Sequence, residues 1–430
     1  MIIFSVIISL FSLLFTQACT GHTGLAAVDR PYKKDLQEQR PTEALEIIPD
    51  IIPDVTSIKI RVLLEEVPTS KNKKIVLKSD NGFVLESPSG SENTALFQDK
   101  ELCISNKYNQ LYLKCKDEKY RRIKNNNVEI CNSSQCVYVN GSKYQGSITL
   151  ILDDTRNRLL IINTLDLEDY VYSVLRSEAI TTWPMDMLKI QAIASRTFAV
   201  FSKQQANKKN KNKNTFYDIK NTNYCQIYKG LHSFHHLRTA VNETRGVILK
   251  YKDNVALTMF DICCGGVVPG HLRYRDSSKP YLCRTQRCTH CKNASFYRWK
   301  QDIHHKTFLA QLKSNPKLEP KLKNFGDKLT DIQIIDKDKA GLVHKIKLIG
   351  PGKHVILAGK DLKRGFKKNG MRSTAFSIKK TKDRIVAVGN GYGHHTGLCQ
   401  WGAKALVDNG WHYKKILNFY YPNTKLATLI

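Results

Sequence analysis

Acidic side chains are scarce in this chain. Its 38 Asp and Glu against 68 Lys and Arg leave a formal charge of +30, which favours anionic partners such as nucleic acid, anionic lipid or a wall polymer without choosing among them. No apolar run has full membrane-spanning length. Residues 2–15, IIFSVIISLFSLLF, fall short of the roughly 20 apolar residues that a transmembrane helix needs. They fit the apolar core of an export signal, although the basic residues that usually precede such a core are missing. No internal repeat is evident. The glycine-rich loop near the C-terminus lacks the lysine of a phosphate loop. The Lys/Asn run ANKKNKNKN at 206–214 lacks the aromatic residues interleaved in a single-strand groove, and no recognition-helix pattern is present, so nucleic acid is not an expected partner.

The 430 residues imply two or three domains. Residues 1–19 are expected to be a signal or membrane anchor, with Cys19 as a lipidation candidate although Thr16 departs from the usual leucine. The protein is therefore expected to be exported, periplasmic or extracytoplasmic, and membrane-associated if the anchor is retained. Residues 20–53, with Pro31, Pro41, Pro49 and Pro53 among charges, read as a linker. Residues 54–164 form short alternating runs such as IKIRVLL, LYLKCK and ITLILDD, separated by Gly, Asn and Asp turns, the pattern of a β-rich supporting domain. Residues 165–430 are mixed, with a β-rich piece at 330–380, so the fold class is α+β: a β-rich amino-terminal domain and a mixed domain with central helices and a glycine-histidine loop.

Leu167, Tyr170, Val171, Val174 and Leu175 recur at the spacing of one buried helix face. Pro184 ends that pattern and opens a second helix expected from about Pro184 to Phe201. Glu178 lies just before the break, while Gln191 and Arg196 are polar residues on an otherwise buried helix and need partners or a cleft. A carboxylate at a helix break, beside a buried arginine and amide, is a candidate active site. Near the C-terminus a strand, IVAVGN, runs into GYGHHTG, which displays His394 and His395; Trp401, Trp411, Tyr420 and Tyr421 are expected to pack the terminus.

Cysteine is plentiful, with 12 residues. In an exported protein Cys103 with Cys115 and Cys131 with Cys136 read as local pairs. Cys225, Cys263, Cys264, Cys283, Cys288, Cys291 and Cys399 are odd in number and cannot all pair internally. Cys283, Cys288, His290 and Cys291, with His271 as a further ligand choice, have the residue types of a structural zinc site; disulfides are the alternative.

The runs YVYSVLRSEAITTWPMDMLKIQAIASRTFAV and GYGHHTGLCQWGAKALVDNGWHYKKILNFYYPNTKL, with CQIYKG, AVNETRGVILKY and CCGGVVPG between them, resemble the stage II sporulation protein D and amidase-enhancer family over about residues 57–430. The resemblance implies a peptidoglycan enzyme, a lytic transglycosylase that cuts peptide-free glycan strands beside a cell-wall amidase, or a non-catalytic enhancer of that amidase. The family's catalytic glutamate, in a Ser-Glu-Met-Pro-like motif before Trp-Pro, falls on Glu178, where Ala179 and Ile180 replace Met and Pro. In this reading Glu178 is acid and then base, Arg196 binds the lactyl carboxylate, Gln191 holds an N-acetyl group, and Tyr392, His394 and His395 contact sugar. No cofactor is needed for the chemistry; a zinc would be structural.

Overall fold

The computed structural model describes residues 57–71, 73–86, 95–107, 110–115, 120–123, 127–131, 136–210, 215–366 and 370–429. The expected signal, Cys19 and the expected linker all lie outside them. The protein is α+β, as its sequence pattern indicates.

Two sheets make the amino-terminal half. One has seven strands in the order Ile219–Lys220, Lys59–Pro68, Arg158–Asp166, Ser147–Asp153, Asn127–Cys131, Phe83–Glu86 and Ala95–Phe97. The other has six, including Lys74–Lys78, Glu101–Lys107 and Gln110–Cys115. Strict alternation in Gln110–Cys115 buries Leu111, Leu113 and Cys115, as a two-residue side-chain period requires. The register sets Cys103 opposite Lys114 and Cys115 opposite Leu102. Cys103 and Cys115 therefore leave opposite faces of the sheet, and the expected pairing between them fails on geometry.

The inner strand Arg158–Asp166, paired on both sides, runs directly into helix α1 (Leu167–Glu178), capped by the Asp166 side chain, which accepts from the Glu168 N–H at 2.9 Å. Helix α2 (Met185–Asn210) follows. It outlasts the expected end at Phe201 by more than two turns, taking in the first half of the Lys/Asn run, because lysine and asparagine on a solvated face do not break a helix already docked on one side. Then come α3 (His235–Asn242), α4 (His305–Lys313), α5 (Glu319–Leu322), α6 (Gln400–Asp408) and α7 (Tyr413–Tyr420).

One apolar cluster runs from Ile60 and Ile75 in the sheets through Tyr170, Val174, Met187 and Ile190 to Leu406 and Tyr421, so residues 54–164 and the helices share a core. A second cluster gathers Trp299, Phe308, Leu322, Ile346, Leu348 and Ile385. It is built from the sheets Arg298–His304, Arg384–Asn390, Phe376–Lys380 and Asp331–Lys337, Val343–Gly350, Lys353–Ala358. The strand Arg384–Asn390 leaves this second core and delivers the glycine-histidine loop back to the first.

Candidate active site

Glu178 is the final residue of α1, and Ala179 turns into extended geometry at φ −127°, ψ 159°. Its carboxylate is half-buried and accepts a hydrogen bond at 2.5 Å from the backbone N–H of Ile227. No ion pair with a basic side chain reaches it among the described residues. Burial raises its pKa from 4.5 to about 7, against the Ile227 bond, which lowers it. Its place at the negative end of a helix also disfavours the ionised form. At neutral pH Glu178 thus keeps a proton for part of the time, the condition for a general acid.

The backbone at Glu178 is held from across the chain. Gln400, at the start of α6, donates from Nε2 to the Glu178 carbonyl at 2.5 Å and to Gln191 Oε1 at 3.1 Å; Gln191 in turn donates to Ser195 Oγ at 3.3 Å. Gln191 is fully buried, so it positions the hinge through Gln400 and does not reach out to an N-acetyl group. Gln226 does similar work on the other side: it accepts from Tyr170 Oη at 2.8 Å and precedes Ile227.

Arg196 also departs from its expected role. Its guanidinium is fully buried and forms a two-pronged pair with Glu168, Nε to Oε1 at 2.8 Å and NH2 to Oε2 at 2.6 Å. NH1 donates to the Val247 carbonyl at 3.1 Å and NH2 to the Val241 carbonyl at 3.3 Å. Glu168 is completed by the Gly246 N–H at 3.0 Å. With its donors taken and no exposed surface, Arg196 cannot bind a lactyl carboxylate; it locks α1, α2 and the turn after α3 together.

The glycine-histidine loop separates its two histidines. His394 is exposed, its Nδ1 accepting from the Thr396 N–H at 3.1 Å. His395 is buried at φ +63°, a left-handed conformation that a non-glycine residue holds only when its surroundings insist. Asp261 Oδ2 accepts from the His395 N–H at 2.6 Å, and Nδ1 lies 3.0 Å from the Cys264 carbonyl. Nε2 is buried without a partner. Burial lowers the His395 pKa to about 4 and pushes Asp261 well up, so His395 is neutral at physiological pH and braces the loop through the backbone.

Tyr392 pairs with Cys263 through two backbone bonds, 3.1 and 2.7 Å, and begins an aromatic path. Its ring lies 5.6 Å from Phe296, Phe296 lies 6.1 Å from Trp401, and Trp401 lies 5.9 Å from Trp183 on the hinge after Glu178. Trp401 thus faces the hinge and not the chain terminus. The half-buried Arg372 stacks over Phe296 at 4.7 Å and Tyr392 at 5.9 Å. Sequence reading missed Gln226, Gln400, Asp261 and Arg372. The first two sit in the runs CQIYKG and GLCQWG, whose short polar residues between apolar neighbours were the available signal.

Of the expected metal ligands only Cys288 and Cys291 are brought together. The Cys283 thiol points at the carbonyls of Asp276 and Lys279, 3.7 and 3.8 Å away, His290 packs against Trp411 and Phe419, and His271 is exposed. Cys288 and Cys291 instead converge with Cys264 and Cys399. A cavity of about 870 Å³ bounded by Arg158, Phe198, Phe201 and Phe216 does not include Glu178.

A family model for stage II sporulation proteins matches residues 155–251, the segment carrying Glu178, Arg196, Gln226 and Ile227. An uncharacterized protein of Brachyspira hyodysenteriae (strain ATCC 49526 / WA1) is 33% identical over 288 residues, covering 66% of this chain and 72% of that protein. The stage II sporulation protein D of Bacillus subtilis (strain 168) is 28% identical over 283 residues, 62% of this chain and 76% of its own length. The chain belongs to the stage II sporulation protein D family. The amidase enhancer of Bacillus subtilis (strain 168) is 22% identical over 338 residues, 69% of this chain and 46% of that protein. A domain of unknown function (DUF8618) matches residues 276–397, so this stage II sporulation protein D relative takes its helix hinge from one matched segment and its glycine-histidine loop from the other. Gln400, which ties the two, lies just beyond both.

Proposed function

We propose that the protein is an exported peptidoglycan lytic transglycosylase acting on peptide-free glycan strands, with Glu178 as its acid and base. The observation that carries this reading is a half-buried carboxyl with pKa about 7 and no cation beside it. A glycosidic oxygen leaves poorly unless protonated, and Glu178 has the proton to give. As the bond to the anomeric carbon of N-acetylmuramic acid breaks, the sugar's own 6-hydroxyl closes on that carbon and returns its proton to Glu178. The product is a 1,6-anhydro end, and neither a water nucleophile nor the second carboxylate of ordinary glycosidases takes part.

The half-buried Trp401, Phe296 and Tyr392 give sugar rings apolar faces to lie on, with the buried Trp183 behind them, and Arg372 supplies the cation for the lactyl carboxylate that Arg196 is too enclosed to meet. His394 is the exposed loop contact. A second reading, that the chain enhances a separate cell-wall amidase without turnover, is favoured by the likeness to an amidase enhancer and by Ala179 and Ile180 after the glutamate.

The test is to incubate the purified protein and a Glu178→Gln variant with intact and peptide-free strands and weigh the products. Ends lighter by one water than hydrolytic ends, formed from peptide-free strands by the wild type alone, are expected. Hydrated ends would make it a hydrolase. Strand binding and acceleration of an added amidase without new ends would establish the enhancer reading.

A further inference from the structure

Four cysteines from three separate segments meet in the first core: Cys264 after the strand Phe260–Asp261, Cys288 and Cys291 around a short 3-10 turn, and Cys399 at the entry to α6. All four are buried, between 0 and 3% exposed. Their sulfurs lie within 4.8 Å of one another, with Cys264 and Cys291 at 3.6 Å. A metal–sulfur bond of about 2.3 Å in tetrahedral geometry sets sulfurs about 3.8 Å apart, whereas a disulfide brings two to about 2.05 Å and leaves the others aside. The cluster has the mutual spacing of a single tetrahedral shell.

Arg284 is an independent observation. Its side chain is 4% exposed, and Nε, NH1 and NH2 are all buried without a hydrogen-bond partner. The guanidinium lies over the rings of Phe419 and Tyr420, at 5.0 and 5.5 Å, and Tyr420 Oη is 3.3 Å from Cys288 Sγ. A cation enclosed in this way requires a nearby negative charge. The buried Asp261 lies within electrostatic reach of Arg284 but makes no hydrogen bond or ion pair with it, and four neutral thiols, or two disulfides, add no charge. Four thiolates around a divalent ion carry a net charge of −2.

We propose that Cys264, Cys288, Cys291 and Cys399 bind one zinc ion as a closed tetrathiolate, with Arg284 as its enclosed counter-charge. Binding releases the four thiol protons to solvent and transfers no electrons. The surrounding shell already suits sulfur anions: the Cys264 and Gly402 N–H groups donate to Cys399 Sγ at 3.2 and 3.4 Å. Gly402 has no room for a side chain, since a Cβ there would stand 2.8 Å from Cys288 Sγ and 2.2 Å from Tyr420 Oη. The site is structural, because four protein ligands leave no position for substrate. It also reaches the hinge: the Cys264 carbonyl holds His395, and Cys399 is followed by Gln400, which holds the backbone of Glu178. The metal thereby fixes both the histidine loop and the glutamate. This inference does not depend on the glycan chemistry.

The experiment is metal analysis of the full chain purified without reductant, together with intact-mass measurement and replacement of the metal by Co²⁺. One zinc per chain, four thiols that stay unreactive until a chelator removes the metal, beyond the buried Cys115 and Cys263, which react on unfolding alone, and a cobalt spectrum with tetrathiolate charge-transfer bands are expected. Cys283→Ser keeps the metal, Cys291→Ser loses it, and Arg284→Met surrenders it to chelator about tenfold faster. If Cys291→Ser fails to fold, the cobalt spectrum of the wild type and the Cys283→Ser result still decide. An intact mass lower by two disulfides with no metal would overturn the proposal, as would loss of the metal from Cys283→Ser.

Discussion

Glu178 and Arg196 stand on consecutive helices of the family-matched segment, and both are ionisable groups in a largely apolar setting. They have opposite fates. Arg196 is fully enclosed and met by Glu168, two carbonyls and Thr244, so its charge is satisfied and immobile. Glu178 is half-open and has one backbone donor and no counter-ion, so its charge is costly and its proton is retained. A polar residue in a core is not a functional residue for being there. What distinguishes the two is whether the fold completes its partners.

That contrast can be broken at several points. Glu178→Gln removes the proton donor while preserving the Ile227 hydrogen bond, and product formation is expected to fall by about 10² to 10⁴ with no loss of melting temperature. Arg196→Met does the reverse: it strands Glu168 in the core and costs about 3–5 kcal/mol of stability, read by denaturant unfolding, so any fall in turnover follows the folded fraction. Gln400→Leu leaves the Glu178 carbonyl and Gln191 unpaired, costing about 1–3 kcal/mol; turnover per folded molecule falls while the Michaelis constant for glycan changes little. A further expectation comes from linkage. Glu178 has a folded pKa near 7 against 4.5 unfolded, so between these values the folded state binds more protons and stability falls as pH rises. Below pH 4.5 the effect vanishes, and above 7 the full penalty applies. Glu178→Gln should therefore be more stable than wild type at pH 8 by about 1–2 kcal/mol after allowance for solvent screening, and equal to it at pH 4.

Much of this was legible in the chain. The apolar spacing of Leu167 to Leu175, the Pro184 break and the alternating strands all reappear, because local periodicity and turn chemistry fix them. The position of Glu178 at a helix end followed from the same pattern. The partners of Gln191 and Arg196 were not legible: Gln400 lies far along the chain and Glu168 on the preceding helix, and only the packing of α1, α2 and α6 decides that these residues face one another. The cysteines show the same limit. The Cys288 and Cys291 spacing marked two members of the cluster, but nothing local joins them to Cys264 and Cys399, while the neighbouring Cys283 and His290 suggested a compact set that the fold does not assemble.

The most direct test of the central claim, that Glu178 holds a usable proton because the fold leaves its charge unpaired, is the pH dependence of turnover on peptide-free strands beside a direct carboxyl titration of Glu178 by carbon-13 NMR. The carboxyl should titrate near pH 7, and turnover should fall with it as pH rises through that value. A carboxyl titrating near 4.5 with turnover unchanged from pH 6 to 8 would contradict the account.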